Sequence, residues 1–291
     1  MTDQETIAVL GAGGTMGRAM AANLARAGYP VRAWNRSPEK AAPLAGDGAR
    51  VCATPSEAAD GATILLTMLS DADPVLEAVG GPDGAAPGLG PRAVWLQMST
   101  IGLDGTRRAA ELARDHGLVF VDAPVLGTKA PAEKGELVVL ASGPDDVHPR
   151  VDPVFEVVGR RTLWVGEAGA GTRLKLATNS WVLTIVEGAA ETLALAEGLG
   201  LDPRLVLEAV AGGPLDLPYL QTKGKAMIER DFEPSFRLAL AAKDARLAAE
   251  AAGQAGLDLP LLITIRDRLE RGADSHGDED LAATFLTSAP A

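Results

Sequence analysis

Residues 6–28 read "TIAVLGAGGTMGRAMAANLARAG", and the architecture of the chain follows from them. A short β-branched run (6–10) stops at Gly11, and an alanine- and leucine-rich segment with helical character begins at 16. Gly11, Gly13, Gly14 and Gly17 mark the passage from one to the other. A strand that feeds a helix through such a turn leaves backbone N–H groups and a helix N-terminus facing outward, the arrangement that cradles a pyrophosphate. Gly11, Gly13 and Gly17 are spaced G-x-G-x-x-x-G, one residue longer than the usual dinucleotide fingerprint, while Gly14 and Gly17 keep its last interval. Gly11, Ala12, Gly13, Gly14, Thr15, Met16 and Gly17 are therefore the expected seat of the phosphates of a dinucleotide.

Outward from this loop, further apolar runs follow at 30–34, 63–68, 93–98, 118–122, 136–142 and 162–166, with helical stretches such as 104–117 between several of them. Apolar strands alternating with helices predict an α/β fold, a mostly parallel, doubly wound sheet of Rossmann type covered on both faces. From about 169 the strands stop, and helices are expected at 172–199, 203–211, 218–229, 236–254 and 258–271. The expected domains are a dinucleotide-binding domain over 1–165 and an all-helical C-terminal domain over 166–291 that begins with a long interdomain helix.

The second strand ends "WNRSP". A carboxylate about 20 residues past the glycines would bind the 2′-hydroxyl of NAD. Asn35, Arg36 and Ser37 stand there instead, and a guanidinium with a hydroxyl suits a 2′-phosphate. The expected cofactor is NADP(H).

Composition narrows the setting. The 291 residues are 47% hydrophobic and carry a formal net charge of −12, which disfavours a nucleic-acid partner. The single cysteine, Cys52, excludes an internal disulfide and fits a reducing cytoplasm. "MTDQETIAVLG" has neither the basic nor the apolar region of an export signal, and no apolar run reaches the roughly 20 residues that span a membrane. The expectation is a cytoplasmic protein with no membrane partner. Asp71, Asp73, His116 and His148 show no metal-ligand spacing, and each histidine reads as a surface residue.

In the second half, "GTRLKLATNS" (171–180) opens a nearly unbroken apolar stretch, yet it carries Lys175 and, one helical turn on, Asn179. A lysine buried among leucine, alanine and valine has its ammonium form disfavoured, so its pKa falls toward the working pH, where it can donate or accept a proton. Asn179, at i+4 on the same face, can hold that lysine or a substrate oxygen in line.

Together with the glycine loop and "WNRS", the segments "MST" (98–100), "DAPVLGTKAPAEKGELVVLASG" (122–143), "GAGTRLKLATN" (169–179) and "FRLALAAKD" (236–244) make the chain resemble the β-hydroxyacid dehydrogenases. This family, within the 6-phosphogluconate dehydrogenase superfamily, includes 3-hydroxyisobutyrate dehydrogenase and the glyoxylate/succinic semialdehyde reductases. The resemblance runs over essentially the full length. It implies an active site in the cleft between the two domains, with Lys175 as the catalytic lysine and Asn179 as its partner. It places Thr100 near the nicotinamide and substrate, and Phe236, Lys243 and Asp244 in a segment that closes over the cofactor. Lys243 is then a cofactor contact, Phe236 and Asp244 substrate contacts, and Met68, Leu69 and Ser70, at the end of the 63–68 strand, further cofactor contacts. Members pair through the helical domain, so a homodimer is expected; the 172–199 helix is apolar on too many faces for one small domain to cover.

Two departures from the family pattern matter. Position 178 is Thr, so only the second asparagine of K-x-x-N-N is present. The substrate loop, D-A-P-V-S-G-G in the family, reads "DAPVLGT", with Leu126 for the serine and Thr128 for the second glycine. Backbone N–H groups at Leu126, Gly127 and Thr128 remain as donors, while Lys129 reads as solvated. The chemistry expected is hydride transfer between the nicotinamide and a small aldehyde or keto acid, with Lys175 giving the developing alkoxide its proton. An imine reductase is the alternative; the retained lysine argues against it, and Leu126 and Trp181 argue mildly for a less polar substrate. A third reading is an NADPH-binding protein without turnover.

Overall fold

The computed structural model describes residues 5–288. The chain divides into two compact units, with the boundary between Lys175 and Leu176.

In the first unit the elements alternate: β1 (Ile7–Leu10), α1 (Thr15–Arg26), β2 (Val31–Trp34), α2 (Pro38–Ala41), β3 (Arg50–Val51), α3 (Pro55–Ala59), β4 (Ile64–Thr67), α4 (Ala72–Gly80), β5 (Val94–Gln97), α5 (Gly102–Asp115) and β6 (Val119–Asp122). The six strands form one parallel sheet in the order β3-β2-β1-β4-β5-β6. The order reverses beside β1, the switch point at which open α/β sheets bind ligands beyond their strand C-termini. Strand residues alternate between two cores. Ile7, Val9, Ile64, Leu66, Val94 and Leu96 face one, while Ala8, Leu10, Leu65 and Trp95 face the other. Both faces are thus apolar, as a sheet covered on both sides requires.

A second, three-stranded sheet follows, built from β7 (Val125–Leu126), β8 (Leu137–Ala141) and β9 (Gly159–Trp164), with α6 (Lys129–Glu133) and α7 (His148–Val158) between them. Here β7 and β8 run antiparallel while β8 and β9 run parallel. The sequence pattern predicts neither β3 nor β7, because two residues show no periodicity, and it starts the last strand three residues late. His148 also departs from expectation: its ring stacks on Trp164, centroids 3.6 Å apart.

The long helix α8 (Ala170–Gly198) crosses the unit boundary. The second unit continues with α9 (Arg204–Val210), α10 (Pro218–Glu229), α11 (Leu238–Gln254) and α12 (Pro260–His276). Leu183, Val186 and Leu193 of α8 pack with Met227, Leu238, Ala245, Ile265, Leu269 and Phe285 in one core. Buried or nearly buried ion pairs in this unit include Lys223–Asp280 at 2.6 Å and Arg268–Glu187 at 2.8 Å. No helix among the described residues is long and apolar enough to cross a membrane.

Candidate active site

The glycine loop forms the turn from β1 into α1. Gly11 has φ +89°, and a Cβ there would overlap the Met68 carbonyl; one on Gly17 would overlap the carbonyl of Gly11. The loop backbone is thus packed too closely for side chains at those two places. Gly11 and Ala12 donate their amides to the Trp34 carbonyl, Gly13 to the Asn35 carboxamide oxygen at 3.1 Å, and Gly14 to the Gly11 carbonyl. Three of those four amides are thus bonded to the end of β2 and the fourth within the loop. Thr15, Met16 and Gly17 form the first turn of α1, whose amides have no intrahelical acceptor. Gly14 supplies no side-chain cap and the turn has no acidic residue, so this helix end fits an anion such as a pyrophosphate.

Asn35 does more than border the loop. While accepting from Gly13 it donates to the Ser37 carbonyl at 2.9 Å, which ties the end of β2 to the glycine turn. Arg36 is exposed beside it. The loops after β4 and β5 are joined by a buried network that sequence reasoning missed. Ser99 accepts from the Leu69 amide at 2.9 Å, and its own amide donates to the Gln97 side chain, also at 2.9 Å. Trp95 donates to the Thr67 hydroxyl. These bonds fix the segments that carry Met68, Leu69, Ser70 and Thr100. The available signal was the run of polar residues ending otherwise apolar strands.

Leu126 is half-buried in β7, opposite Val138, and Gly127 and Thr128 follow it into α6. Just before this loop, Asp122 ends β6 with its carboxyl fully buried. It accepts from the Thr172 amide and hydroxyl, each at 2.7 Å. Burial pushes this carboxyl above its ordinary range, against the hydrogen bonds that favour its charge. Lys175, half-buried, stands one turn further along α8.

In the second unit, Asn179 is buried and donates to Asp244 at 2.7 Å, while the Lys243 ammonium lies 2.9 Å from the other Asp244 oxygen. The structure therefore brings Asn179, Lys243 and Asp244 together. Phe236 is half-buried against the helical core, with its amide held by Asp280 at 3.2 Å.

A wound parallel sheet with an anion-ready glycine turn, in one chain with a helical unit carrying this polar cluster, defines an NAD(P)-dependent oxidoreductase. The profile of the NAD binding domain of 6-phosphogluconate dehydrogenase matches residues 6–166, and that of the NAD-binding region of NADP-dependent 3-hydroxyisobutyrate dehydrogenase matches 169–286. Glyoxylate/succinic semialdehyde reductase 2 of Arabidopsis thaliana is 32% identical over 274 residues, 94% of this chain and 76% of that one. The 2-hydroxy-3-oxopropionate reductase of Escherichia coli is 32% identical over 266 residues, covering 91% of each. Among solved structures, Mycobacterium tuberculosis 3-hydroxyisobutyrate dehydrogenase with L-serine superposes with a TM-score of 0.87 at 30% identity, covering 98% of this chain and 99% of that one. The chain belongs to the β-hydroxyacid dehydrogenase family, enzymes that reduce or oxidise hydroxyacids and semialdehydes with a nicotinamide cofactor.

Proposed function

We propose that the protein is an NADPH-dependent reductase of small aldehydes or keto acids in which Lys175 is the general acid. The observation that carries this reading is the polar set on one helix. Lys175 stands on α8, and Asn179, one turn on, is buried and locked by Asp244. A buried asparagine held by a carboxylate has a fixed orientation, which is what a partner to a proton donor needs. The bound nicotinamide supplies the hydride. The chain's own residues hold the phosphates at the first turn of α1, orient the carbonyl at the 126–128 loop and Thr100, and deliver the proton from Lys175.

Preference for NADP(H) rests on exposed Arg36 with Ser37 at the end of β2, where no carboxylate repels a 2′-phosphate. Asn35 is committed to Gly13 and Ser37, so in this reading it shapes the subsite and Arg36 contacts the phosphate. Lys243 and Asp244 act as a pair, with Asp244 orienting Asn179. We assign the domains as 1–165 and 166–291, the compartment as the cytoplasm and the assembly as a homodimer. The dimer is favoured by exposed Trp181, Leu195, Leu199 and Leu215 on the second unit.

The test is NADPH oxidation with glyoxylate, succinic semialdehyde, a more apolar semialdehyde and a cyclic imine. Turnover of a semialdehyde above the imine supports the reading. Turnover of the imine alone would make the protein an imine reductase, and no turnover with any of the four would leave a cofactor-binding protein.

A further inference from the structure

Helix α8 begins at Ala170, with Gly169 before it and Gly171 after it, so its own sequence offers no side chain to cap its first amides. Those orphan donors are met from elsewhere in the first unit. Gly171 donates to the Ser142 hydroxyl at 2.9 Å, and Thr172 donates both its amide and its hydroxyl to Asp122, each at 2.7 Å. Thr106 of α5 lies 3.0 Å from the Thr172 hydroxyl, and Ser142 is 3.3 Å from the carboxyl it shares. Asp122, Ser142, Thr172 and Thr106 are all buried. The approach is so close that a Cβ on Gly171 would overlap the Leu140 carbonyl and lie 2.9 Å from that of Asp122.

Asp122 is also where the two sheets meet. Its backbone forms a bridge to Ser142, donating to and accepting from it at 3.0 and 2.8 Å. The next residue, Ala123, donates to the Gln97 carbonyl at 2.8 Å and opens the loop to Leu126. Asp122 and Ala123 together therefore tie the start of the 123–128 loop, the end of β5 and the first turn of α8. Lys175 follows Thr172 by three residues, a rise of roughly 4.5 Å along the helix.

We propose that Asp122 is a positioning residue for Lys175: its buried carboxyl, with the Ser142 hydroxyl, caps α8 from outside and sets the height and rotation of the lysine relative to the 123–128 loop. The proposal rests on Lys175 being the proton donor. A displacement of about 1 Å in a reacting group costs on the order of a hundredfold in rate, so loss of this cap shows in turnover and not in cofactor binding.

A double-mutant cycle tests it, with full-length wild type, Asp122→Asn, Lys175→Ala and the double variant. Active sites are counted by NADPH titration, and Thr172→Val serves as a second, milder lesion that removes the hydroxyl bonds to Asp122 and Thr106 while keeping the carboxyl and the amide bond to it. The expected result is a drop in kcat of roughly 10- to 100-fold for Asp122→Asn and a smaller one for Thr172→Val, with the KM for NADPH within about twofold of wild type. In the Lys175→Ala background the same changes should cost less than about twofold, because the group they position is gone. Equal losses in both backgrounds, or no loss from either lesion in the wild-type background, would overturn the positioning role. If Lys175→Ala by itself keeps wild-type turnover, the reading of Lys175 fails first. If Asp122→Asn does not fold, Thr172→Val run through the same cycle decides.

Discussion

At the scale of single residues, specificity divides between the cofactor and the substrate. Arg36 is exposed at the end of β2, and on the proposed reading Arg36→Ala should raise the KM for NADPH much more than that for NADH. Steady-state kinetics with both cofactors checks this, and equal effects would show that the guanidinium does not read the phosphate. Leu126 offers no hydroxyl to a substrate carboxylate and lines the loop with apolar bulk. Leu126→Ser should improve kcat/KM for glyoxylate or succinic semialdehyde by roughly tenfold, about 1.4 kcal/mol, and lower it for an apolar substrate. Efficient glyoxylate turnover by the wild type with no effect of the substitution would place residue 126 away from the substrate. Both residues were proposed from sequence because each lies beside a local motif. Asp122 was not readable as a cap: its partner Thr172 is fifty positions away, and nothing in "VFVDAPV" tells that the carboxyl meets a helix end. The hydrogen bonds of Asn35 to Gly13 and Ser37 were likewise not readable from the sequence.

At the scale of elements, the β1–α1 turn was legible because the constraint is local: Gly11 and Gly17 meet within one turn of chain. The three-stranded sheet was only half legible. β8 is an apolar run, but β7 has two residues and exists only through its pairing with Val138 and Val139. The helical unit holds an element-level test of its own. Asp280 accepts from the Ser235, Phe236 and Ala282 amides and pairs with Lys223, which fixes the segment leading into α11. Burial pushes its carboxyl up, but the Lys223 charge and hydrogen bond, with the backbone donors, outweigh burial and hold it below the usual carboxylate range. A depressed folded-state pKa contributes stability that is present above the unfolded value and is lost as pH falls through the folded one. Lys223→Met removes the opposing charge and leaves a buried carboxylate unpaired, and should destabilise the protein by about 3–5 kcal/mol near pH 7. Without the lysine its charge and hydrogen bond no longer hold the carboxyl down, so protonation becomes easier than in the wild type and the penalty should shrink toward about pH 4. Urea denaturation of both proteins at the two pH values measures it. A penalty independent of pH would mean that Asp280 stays charged without its partner.

At the scale of the whole molecule, one chain has a mass of 29.9 kDa, and light scattering at micromolar concentration should return twice that. Trp181 and Leu195 on α8 are 59% and 62% exposed in the single chain, the apolar surface a partner would cover. A mass of one chain would contradict the dimer. The central claim is that Lys175 supplies the proton in a nicotinamide-dependent reduction. Its most direct test is the steady-state turnover of wild type and Lys175→Ala with NADPH and a saturating semialdehyde, with NADPH affinity measured in parallel. The expected result is a fall in kcat by a factor on the order of 10² to 10⁴, with NADPH bound as tightly as by the wild type. A Lys175→Ala enzyme that keeps most of its turnover would contradict the claim.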